Sequence, residues 1–433
     1  YREFIHKAII GGRTMTCENK QHKIENMFLA DFDAVSLYPS AMVRLADDLG
    51  GYLKGKPKIL KNLTYDFLKS VDGYFVEIQI LNVPKRKKFP LMRKITNGIL
   101  EWTNDMENEI IVIDRISLED LMTFHKLTAK DFKIIRGFYY DEGRNKLVGN
   151  ITQELFNRRK EAKEEKNPIE KTIKLILNSA YGKTLLKPFQ TKTQYLDFKP
   201  YPKNVMYETK KANGKIQKKH GYNYEEEFKY SAPNERYKNG KEDEFNKYVS
   251  KNYNFISEIT EIHDTKNRYR VKSVEAIDEH FNNVSCGCEV LSMSKRIMNE
   301  VMCLAEDLEI DMFYQDTDSI HIDNSKIPLL KDTYKEKYGR DLIGKELGQF
   351  HSDFDSKIVE GEIVAKRSIF LAKKFYIDEL VGSKSGEVID YHIRGKGVGE
   401  QAIRHYALIN NITPWEVFTQ LKNGDCIEFD LSC

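Results

Sequence analysis

The sequence has few of the features that mark secreted, membrane-spanning or disulfide-stabilised proteins. It contains only six cysteines and two tryptophans in 433 residues. The cysteines are too few and too scattered for a disulfide framework, which favours a reducing compartment. We find no run of about 18 apolar residues and no signal-peptide pattern, so we expect neither a spanning helix nor secretion. The first residue is Tyr1 rather than Met, so we expect a fragment or a processed product that lacks an upstream domain.

Neither sign of charge dominates the chain. It has 69 Lys and Arg residues against 66 Asp and Glu residues, a formal net charge of +3. This balance excludes a protein that binds by overall positive charge alone, but it leaves room for strong local fields of both signs. The hydrophobic fraction of 40% is enough to fill a core. The length predicts about two to four domains.

Two carboxylates form a local signal for a cation. Residues 309–323 (EIDMFYQDTDSIHID) predict a strand, a tight turn and a second strand, with Asp316 and Asp318 at the tip. Two carboxylates at this spacing point the same way and cannot both lose water without a cation. Hard oxygen ligands of this kind suit Mg²⁺. A polar turn without a ligand is the alternative for so short a motif. A calcium loop is excluded because Ile320 and His321 stand where that loop needs Asp or Asn and then Gly.

A further carboxylate, Asp33, ends an apolar segment at 24–33 that predicts a buried strand. Proline is tolerated in the first turn of a helix, so a helix should begin near Pro39. The turn between them then places Tyr38 beside any metal that Asp33 holds. The alternative is that Asp33 only caps the helix.

A helical hairpin carries cations toward one inner face. Residues 151–166 predict a charged helix, and Pro168 begins a second helix that should run to about Tyr181 and stop at Gly182. One face of the second helix, at spacing i, i+4, i+7, carries Lys174, Asn178 and Tyr181.

The first helix of this hairpin adds two more cations. In an antiparallel hairpin, Arg159 and Lys163 lie at heights that let them converge with Lys174. Three cations on one inner face favour a multiply charged anion such as a triphosphate. The alternative is a solvated Lys/Glu helix.

A last polar pair lies in the segment 366–381, which predicts two strands. Lys374 and Tyr376 share one face of a strand. A cation beside an aromatic ring suits a nucleic-acid backbone and a base or sugar edge, although an ordinary surface strand has the same pattern.

Four motifs in this order resemble those of the family B DNA polymerases. Their segments are 33–40 (DAVSLYPS), 174–182 (KLILNSAYG), 314–319 (YQDTDS) and 374–376 (KFY). The resemblance covers about residues 5–410 and is strongest to the protein-primed branch of phages, viruses and linear plasmids. Gly11, Gly12 and Arg13 are similar to the Tyr-x-Gly-Gly motif of that branch, but Ile9 stands where its Tyr should be.

The resemblance implies an α+β right-hand polymerase fold, in which an antiparallel sheet with helices behind it forms the palm. The expected parts are the N-terminal palm at 1–84, an inserted module of the protein-primed branch at 85–142, the fingers at 143–186, a second, charged and Tyr/Asn-rich insertion at 187–285, the C-terminal palm at 286–390 and a thumb, complete or truncated, at 391–433. Nothing here resembles the Asp-x-Glu motif of the exonuclease of the family, so the chain should not proofread.

The resemblance also implies a reaction, in which dNMP is added to a 3′-hydroxyl under the direction of a template with two Mg²⁺ ions, which Mn²⁺ should replace. The implied metal ligands are Asp33, Ala34 through its carbonyl, Asp318 and, less directly, Asp316. Lys174 is the implied catalytic cation. The implied nucleotide-binding residues are Ser36, Leu37, Tyr38, Arg159, Lys163, Lys174, Asn178 and Tyr181. The implied DNA-binding residues are Gly11, Gly12, Arg13, Arg296, Thr317, Lys374 and Tyr376.

The expected partners are primer–template DNA and dNTPs, and we expect a monomer that is not secreted and is cytoplasmic or associated with nucleic acid in a host or organelle. Replication of a viral, phage or plasmid genome is the expected role. Three alternatives stay open at this point. The first is an enzyme that uses a terminal protein for priming, and the second is an enzyme that extends only nucleic-acid primers. The third is a DNA-binding remnant without catalysis.

Overall fold

The computed structural model describes residues 1–186, 189–197, 203–210, 216–223, 244–262, 268–276, 283–354, 362–383 and 386–431. The chain divides into two compact units, one formed by Tyr1–Leu185 with Asn283–Cys433 and the other by Leu186–Asn282. The second unit coincides within three residues with the insertion predicted at 187–285. Much of that insertion, including residues 224–243, lies outside the described residues.

The α-helices of the described residues are α1 Arg2–His6, α2 Leu37–Leu49, α3 Tyr65–Lys69, α4 Arg115–Phe124, α5 Leu147–Glu164, α6 Ile169–Thr184, α7 Glu244–Asn252, α8 Val284–Asp307, α9 Ile327–Tyr338, α10 Glu400–Ile409 and α11 Pro414–Asn423. None of them is long and apolar enough to cross a bilayer.

The strands of the first unit are β1 Thr14–Thr16, β2 His22–Ile24, β3 Leu29–Ala34, β4 Tyr52–Leu53, β5 Lys58–Ile59, β6 Gly73–Ile80, β7 Arg93–Thr96, β8 Ile99–Trp102, β9 Ile110–Asp114, β10 Phe132–Tyr140, β11 Arg144–Asn145, β17 Met312–Asp316, β18 Ser319–Asp323, β19 Phe350–Ser352, β20 Ile363–Ala372, β21 Phe375–Gly382 and β22 Val388–Gly395. Those of the second unit are β12 Phe189–Asp197, β13 Lys203–Lys210, β14 Ile216–Asn223, β15 Ile256–Glu261 and β16 Arg268–Ala276.

A nine-stranded antiparallel sheet forms the centre of the first unit. Its order is β1-β17-β18-β3-β20-β21-β22, with β19 on β3 and β2 on β20. Helices α2 and α8 pack against it in the largest apolar core. Nearly every position of α8 from Val284 to Ala305 is buried. Its buried carboxylates are paired, Glu289 with Arg144 at 2.8 Å and Glu300 with Arg44 at 2.6 Å. This arrangement agrees with the predicted α+β palm.

A second, four-stranded sheet includes strands from both sides of the domain boundary that we predicted between residues 84 and 85, so that boundary is wrong. Its order is β5-β10-β6-β9, and α3 and α4 close its core. Strands β5 and β6 precede residue 85, so the module spans about residues 58–140 rather than 85–142. The alternating sequence pattern of residues 73–83 predicts a strand, but it does not reveal which of two sheets that strand joins.

The fingers hairpin consists of α5 and α6. The turn between them contains Asn167, whose side-chain Oδ1 accepts a hydrogen bond from the backbone N–H of Ile169 at 3.1 Å. The predicted stop at Gly182 is wrong, because α6 continues to Thr184. At the other end of the chain, β22 pairs with β21 along its length, so the thumb boundary predicted at residue 391 cuts a strand of the palm sheet.

Candidate active site

Two carboxylates meet where three strands of the palm sheet end. Asp33 lies at the end of β3, directly opposite Ser319 of β18 and His351 of β19. Asp318 lies in the turn from β17 to β18, and its backbone carbonyl accepts a hydrogen bond from Ala34 N at 2.8 Å. The hairpin and the strand register therefore bring Asp33 and Asp318 to one edge.

Both turns that carry these carboxylates contain residues in the left-handed region. Ser36 has φ +48° and Thr317 has φ +61°. Such values are uncommon for residues other than glycine and cluster where function requires a particular backbone path. Ser36 is fixed by its neighbours, because Ser40 Oγ donates to the carbonyls of Ser36 at 2.9 Å and Val35 at 2.8 Å.

The electrostatics of the carboxylate edge fit a bound cation. Burial, together with Asp318, Asp353 and Asp31, raises the pKa of Asp33 to about 8. Burial and neighbouring carboxylates also raise the pKa of Asp318 and of Asp353. Carboxylates that share a site without a cation hold on to protons, and a divalent ion removes this penalty. The chemistry of the donors, all oxygen, fits Mg²⁺.

Asp316 has a different environment from Asp33 and Asp318. Lys374 Nζ lies 3.1 Å from Asp316 Oδ1, and Thr14 Oγ1 donates to the same oxygen at 3.1 Å. The backbone N–H of Lys374 is held in turn by the hydroxyl of Tyr314 at 2.7 Å. These contacts make Asp316 a bracing group between β17 and the turn before β21. Asp318 lines the cleft and Asp316 does not, so the prediction that the two carboxylates point the same way is wrong. The reason is that Thr317 between them is left-handed and not extended.

The carboxylate edge opens into a cleft of about 1040 Å³. Its lining includes the predicted residues Asp33, Ala34, Ser36, Leu37, Tyr38, Arg159, Lys163, Lys174, Asn178, Tyr181 and Asp318. The sequence prediction missed Lys160, Lys345, His351 and Asp353, which line the same cleft. The last two follow from the pairing of β19 with β3, for which the sequence carries no local signal.

The cations of the fingers gather around one carboxylate. Arg159 Nε lies 2.8 Å from Glu170 Oε1, and Arg159 Nη1 lies 3.4 Å from Ser36 Oγ. The bond to Arg159, with the charges of Lys174 and Lys163, lowers the pKa of Glu170. Glu164 also lines the cleft, so these three cations stand against two fingers carboxylates and still leave an excess of positive charge, which suits an anion with several charges.

Two tyrosines that line the cleft contact each other. The rings of Tyr38 and Tyr181 stack with centroids 4.1 Å apart and planes 23° apart. Tyr38 comes from the start of α2 and Tyr181 from α6, so this contact joins the palm to the fingers. The flat ring faces suit a sugar or base.

Two arginines that we predicted to contact DNA, Arg13 and Arg296, are not free to do so. Arg13 is 3% exposed, and its guanidinium donates to the carbonyls of Phe89 and Pro90 and to Asn299 Oδ1. Arg296 donates to Asp120 Oδ1 at 2.6 Å and to Glu119 Oε2 at 2.9 Å. Both side chains are engaged inside the protein, so we assign them structural roles.

Tyr376 is also buried, at 2% exposure, against Tyr314 and Phe370, so its ring is not available to hold a primer. Gly12 packs against Thr317, and a Cβ at Gly12 would clash with the Thr317 side chain. No atom of the described residues lies within 4 Å of a Cβ built on Gly11, so this residue is on an open surface. Gly12 and Thr317 thus support the turn that carries Asp318, whereas Lys374 is exposed.

An antiparallel sheet that presents paired carboxylates beside a cationic helical hairpin is the arrangement of a nucleic-acid polymerase. Residues 1–276 match the family described as DNA polymerase type B, organellar and viral. The chain belongs to this family, which confirms the predicted family B membership.

Individual relatives agree with this assignment. The chain is 29% identical over 160 residues to the DNA polymerase of Acidianus bottle-shaped virus (isolate Italy/Pozzuoli), which covers 35% of this chain and 23% of that protein. The fold of this chain is similar to that of Phi29 DNA polymerase in its complex with primer–template DNA and incoming nucleotide. The TM-score is 0.55 and the sequence identity is 17% over 95% of this chain. The binary complex of that polymerase with primer–template DNA gives a TM-score of 0.56. These similarities confirm the right-hand polymerase fold.

The chain spans only part of the proteins that it matches, 56% of the Phi29 polymerase chain and 23% of the viral polymerase.

Proposed function

We propose that the chain is the polymerase module of a template-directed DNA polymerase, in which a primer 3′-hydroxyl attacks the α-phosphate of a dNTP and pyrophosphate leaves. The observation that carries this proposal is the shared cleft. Asp33 and Asp318 line the same cleft as Arg159, Lys163 and Lys174. A metal–triphosphate complex has the matching distribution of charge.

Asp33 and Asp318, with the carbonyl of Ala34, would hold two Mg²⁺ ions, which Mn²⁺ should replace. Bound there, the ions supply charge stabilisation to the attacking and leaving oxygens. The fingers cations bind and orient the triphosphate, and Lys174 is the candidate that donates to the pyrophosphate as it leaves. Asp316 and Lys374 brace the turn so that Asp318 keeps its position. Phosphoryl transfer depends mainly on such positioning and charge stabilisation.

The metal assignment has a pH-dependent consequence. In the metal-free fold Asp33 keeps a proton up to about pH 8, whereas in the unfolded chain it loses the proton near its ordinary pKa of 3.8. Its contribution to stability therefore falls as pH rises from about 4 to about 8 without metal. Mg²⁺ must displace that proton, so its binding strengthens over the same range. We expect Mg²⁺ to raise Tm more at about pH 8 than at about pH 6.

Thermal unfolding at matched ionic strength, with and without Mg²⁺, measures this difference. Asp33→Asn should lose most of the Mg²⁺-dependent increase at both pH values. An increase that is the same at both pH values in the wild type, or that Asp33→Asn retains, would contradict the assignment of Asp33 as a metal ligand.

The stacked tyrosines give a test of sugar selection. We propose that Tyr38 lies under the sugar of the incoming nucleotide and excludes a 2′-hydroxyl, and that Tyr181 packs against the nascent base pair. Overpacking costs about 1–3 kcal/mol, so Tyr38→Val should raise the ribonucleotide-to-deoxyribonucleotide ratio of kcat/KM about 5- to 150-fold.

Single-nucleotide incorporation with rNTPs and dNTPs measures this ratio. Tyr38→Phe keeps the ring and serves as the control, so it should discriminate as the wild type does. If the wild type used rNTPs efficiently, or if Tyr38→Val left the ratio unchanged, the role of Tyr38 would be wrong.

Priming by a terminal protein is part of the proposal. It is supported by the compact module at about 58–140, which is inserted before the fingers where the protein-primed branch has an extra module. Incubation with a primer protein that bears Tyr or Ser, a labelled dNTP and Mg²⁺ should label that protein with dNMP. Extension of DNA primers without any such labelling would favour an enzyme that uses nucleic-acid primers only. The intact carboxylates Asp33, Asp316 and Asp318 speak against a non-catalytic remnant.

Replication of a viral, phage or plasmid genome is the role that we propose for this activity, with primer–template DNA and dNTPs as partners. The monomeric state and the cytoplasmic or nucleic-acid-associated location stay predictions.

A further inference from the structure

A second group of potential metal ligands lies in the palm, separate from the cleft. Asp31, His321 and His392 each offer a ligand atom, and these atoms lie within 4.8 Å of one another. Asp31 and His321 are directly opposite each other on β3 and β18, and His392 comes from β22. Asp31 is 4% exposed and His321 is fully buried. Asp31 and His321 are on the same face of the sheet as Asp33 and Ser319, but none of the three cluster residues lines the cleft.

Two polar atoms of this cluster have unmet bonding capacity. Within the part of the chain that the structure describes, neither Asp31 Oδ1 nor His321 Nδ1 has a hydrogen-bond partner. The two atoms lie 3.7 Å apart, which is too long for a hydrogen bond between them. Two ligands about 2.1 Å from one tetrahedral zinc ion lie about 3.4 Å apart. The separation of Asp31 Oδ1 and His321 Nδ1 is thus closer to the distance between two ligands of one zinc ion than to a hydrogen bond.

A neighbouring carboxylate orients both imidazole rings. Asp378 Oδ2 lies 3.0 Å from His321 Nε2 and 3.1 Å from His392 Nδ1. Ser368 Oγ donates to the other oxygen of Asp378 at 2.6 Å and fixes the carboxylate. A carboxylate that holds one ring nitrogen leaves the other nitrogen of His321 directed toward Asp31. Metal-binding histidines commonly have such a partner.

The competing explanation is a metal-free ion pair. Although burial disfavours the charged ring, Asp378 and Asp31 raise the pKa of His321 to about 9, so this imidazole could carry a proton between two carboxylates. A protonated ring would donate from Nδ1 to Asp31 at hydrogen-bond distance. The structure keeps these atoms 3.7 Å apart, which favours the shared ion.

We propose that Asp31, His321 and His392 bind one Zn²⁺ ion, with Asp378 as the carboxylate that orients the two imidazoles. Two imidazole nitrogens and one carboxylate oxygen are typical zinc donors, whereas Mg²⁺ prefers oxygen alone. The fourth coordination position would be left to water. The ion would join β3, β18 and β22 and so hold the strand that carries Asp33.

The test uses the full 433-residue chain, purified without a metal-affinity step and dialysed against a chelator. It is then titrated with Zn²⁺ alone in competition with a chromogenic chelator, in excess Mg²⁺ so that the catalytic carboxylates are occupied. The expected result is one zinc per chain. Loss of an orienting partner typically lowers metal affinity about 10- to 100-fold, and loss of the ligand itself should lower it at least as much. His392→Ala should therefore weaken zinc binding about 100-fold or more. The exposed His405→Ala and the cleft variant Asp318→Asn should bind zinc as the wild type does.

Wild type that binds no stoichiometric zinc would overturn the proposal in favour of the metal-free ion pair. Equal zinc binding by wild type and His392→Ala would place the ion elsewhere and overturn it too. If His392→Ala does not fold, Co²⁺ is added to the metal-free wild type instead. Absorption bands of tetrahedral Co²⁺ that are lost when Zn²⁺ is added are expected, and their absence would contradict the site.

Discussion

Asp318→Asn is expected to reduce the rate of nucleotide incorporation about 1,000-fold or more, because metal-ion catalysis contributes several kcal/mol of transition-state stabilisation. The substitution removes the charge of a carboxylate that faces Asp33 across the end of the palm sheet. It preserves the size of the side chain, so the turn between β17 and β18 should keep its shape. Pre-steady-state incorporation of a single dNMP into a labelled primer–template measures the loss.

Two matched variants on the same hairpin separate a metal role from a structural one. Asp311→Asn lies just before β17, away from the cleft, and should keep near-normal rates. Asp316→Asn weakens the charge-assisted contacts to Lys374 and Thr14, so a loss of about 10- to 100-fold is expected. Near-normal incorporation by Asp318→Asn, or equal losses in all three variants, would contradict the metal assignment.

Lys174→Ala is expected to lower kcat/KM for dNTP about 100- to 1,000-fold. Enzymes that lose one preorganised donor to the charge of the transition state lose rate by about this factor. Lys174 lines the cleft from α6, where its charge is combined with those of Arg159 and Lys163 around Glu170. The side chain is exposed, so its removal should leave the stability of the fold nearly unchanged. Steady-state kinetics with varied dNTP at saturating primer–template measures the effect.

Lys171→Ala is the control for this variant, because Lys171 is one turn earlier on α6, is exposed and does not line the cleft. It should behave as the wild type does. A Lys174→Ala enzyme with normal kcat/KM, or equal losses in both variants, would be incompatible with a specific contact between Lys174 and the triphosphate.

The parts of the site that were predictable from the sequence depend on local geometry. A tight turn between two strands puts Asp316 and Asp318 at a tip, and helical spacing puts Lys174, Asn178 and Tyr181 on one face. A hairpin with a short turn also fixes which residues of its two helices lie side by side, so Arg159 and Lys163 could be placed near Lys174. Each of these inferences needs only one continuous segment of the chain, either a strand hairpin, one helix or one helical hairpin.

The parts that were not predictable depend on contacts between distant segments. Asp353 and His351 reach the cleft through the register of β19 on β3, and no residue near them indicates that register. Arg13 and Arg296 were expected to contact DNA, but each finds acceptors on other elements of the first unit. A side chain with a charge gives no local sign of whether its partner is inside the protein or on a ligand.

The domain boundaries show the same limit. β6 and β22 have strand patterns, yet the sheet that each joins depends on strands far away in sequence. The boundaries at residues 84 and 391 were therefore misplaced, although the elements beside them were identified.

The most direct test of template-directed polymerisation is single-nucleotide extension of a labelled primer–template in Mg²⁺, with each dNTP supplied separately. The expected result is that the wild type adds only the nucleotide complementary to the template base and that Asp318→Asn adds none at a comparable rate. Wild-type protein that binds the primer–template without extending it, or that adds all four nucleotides equally, would contradict template-directed polymerisation by this chain.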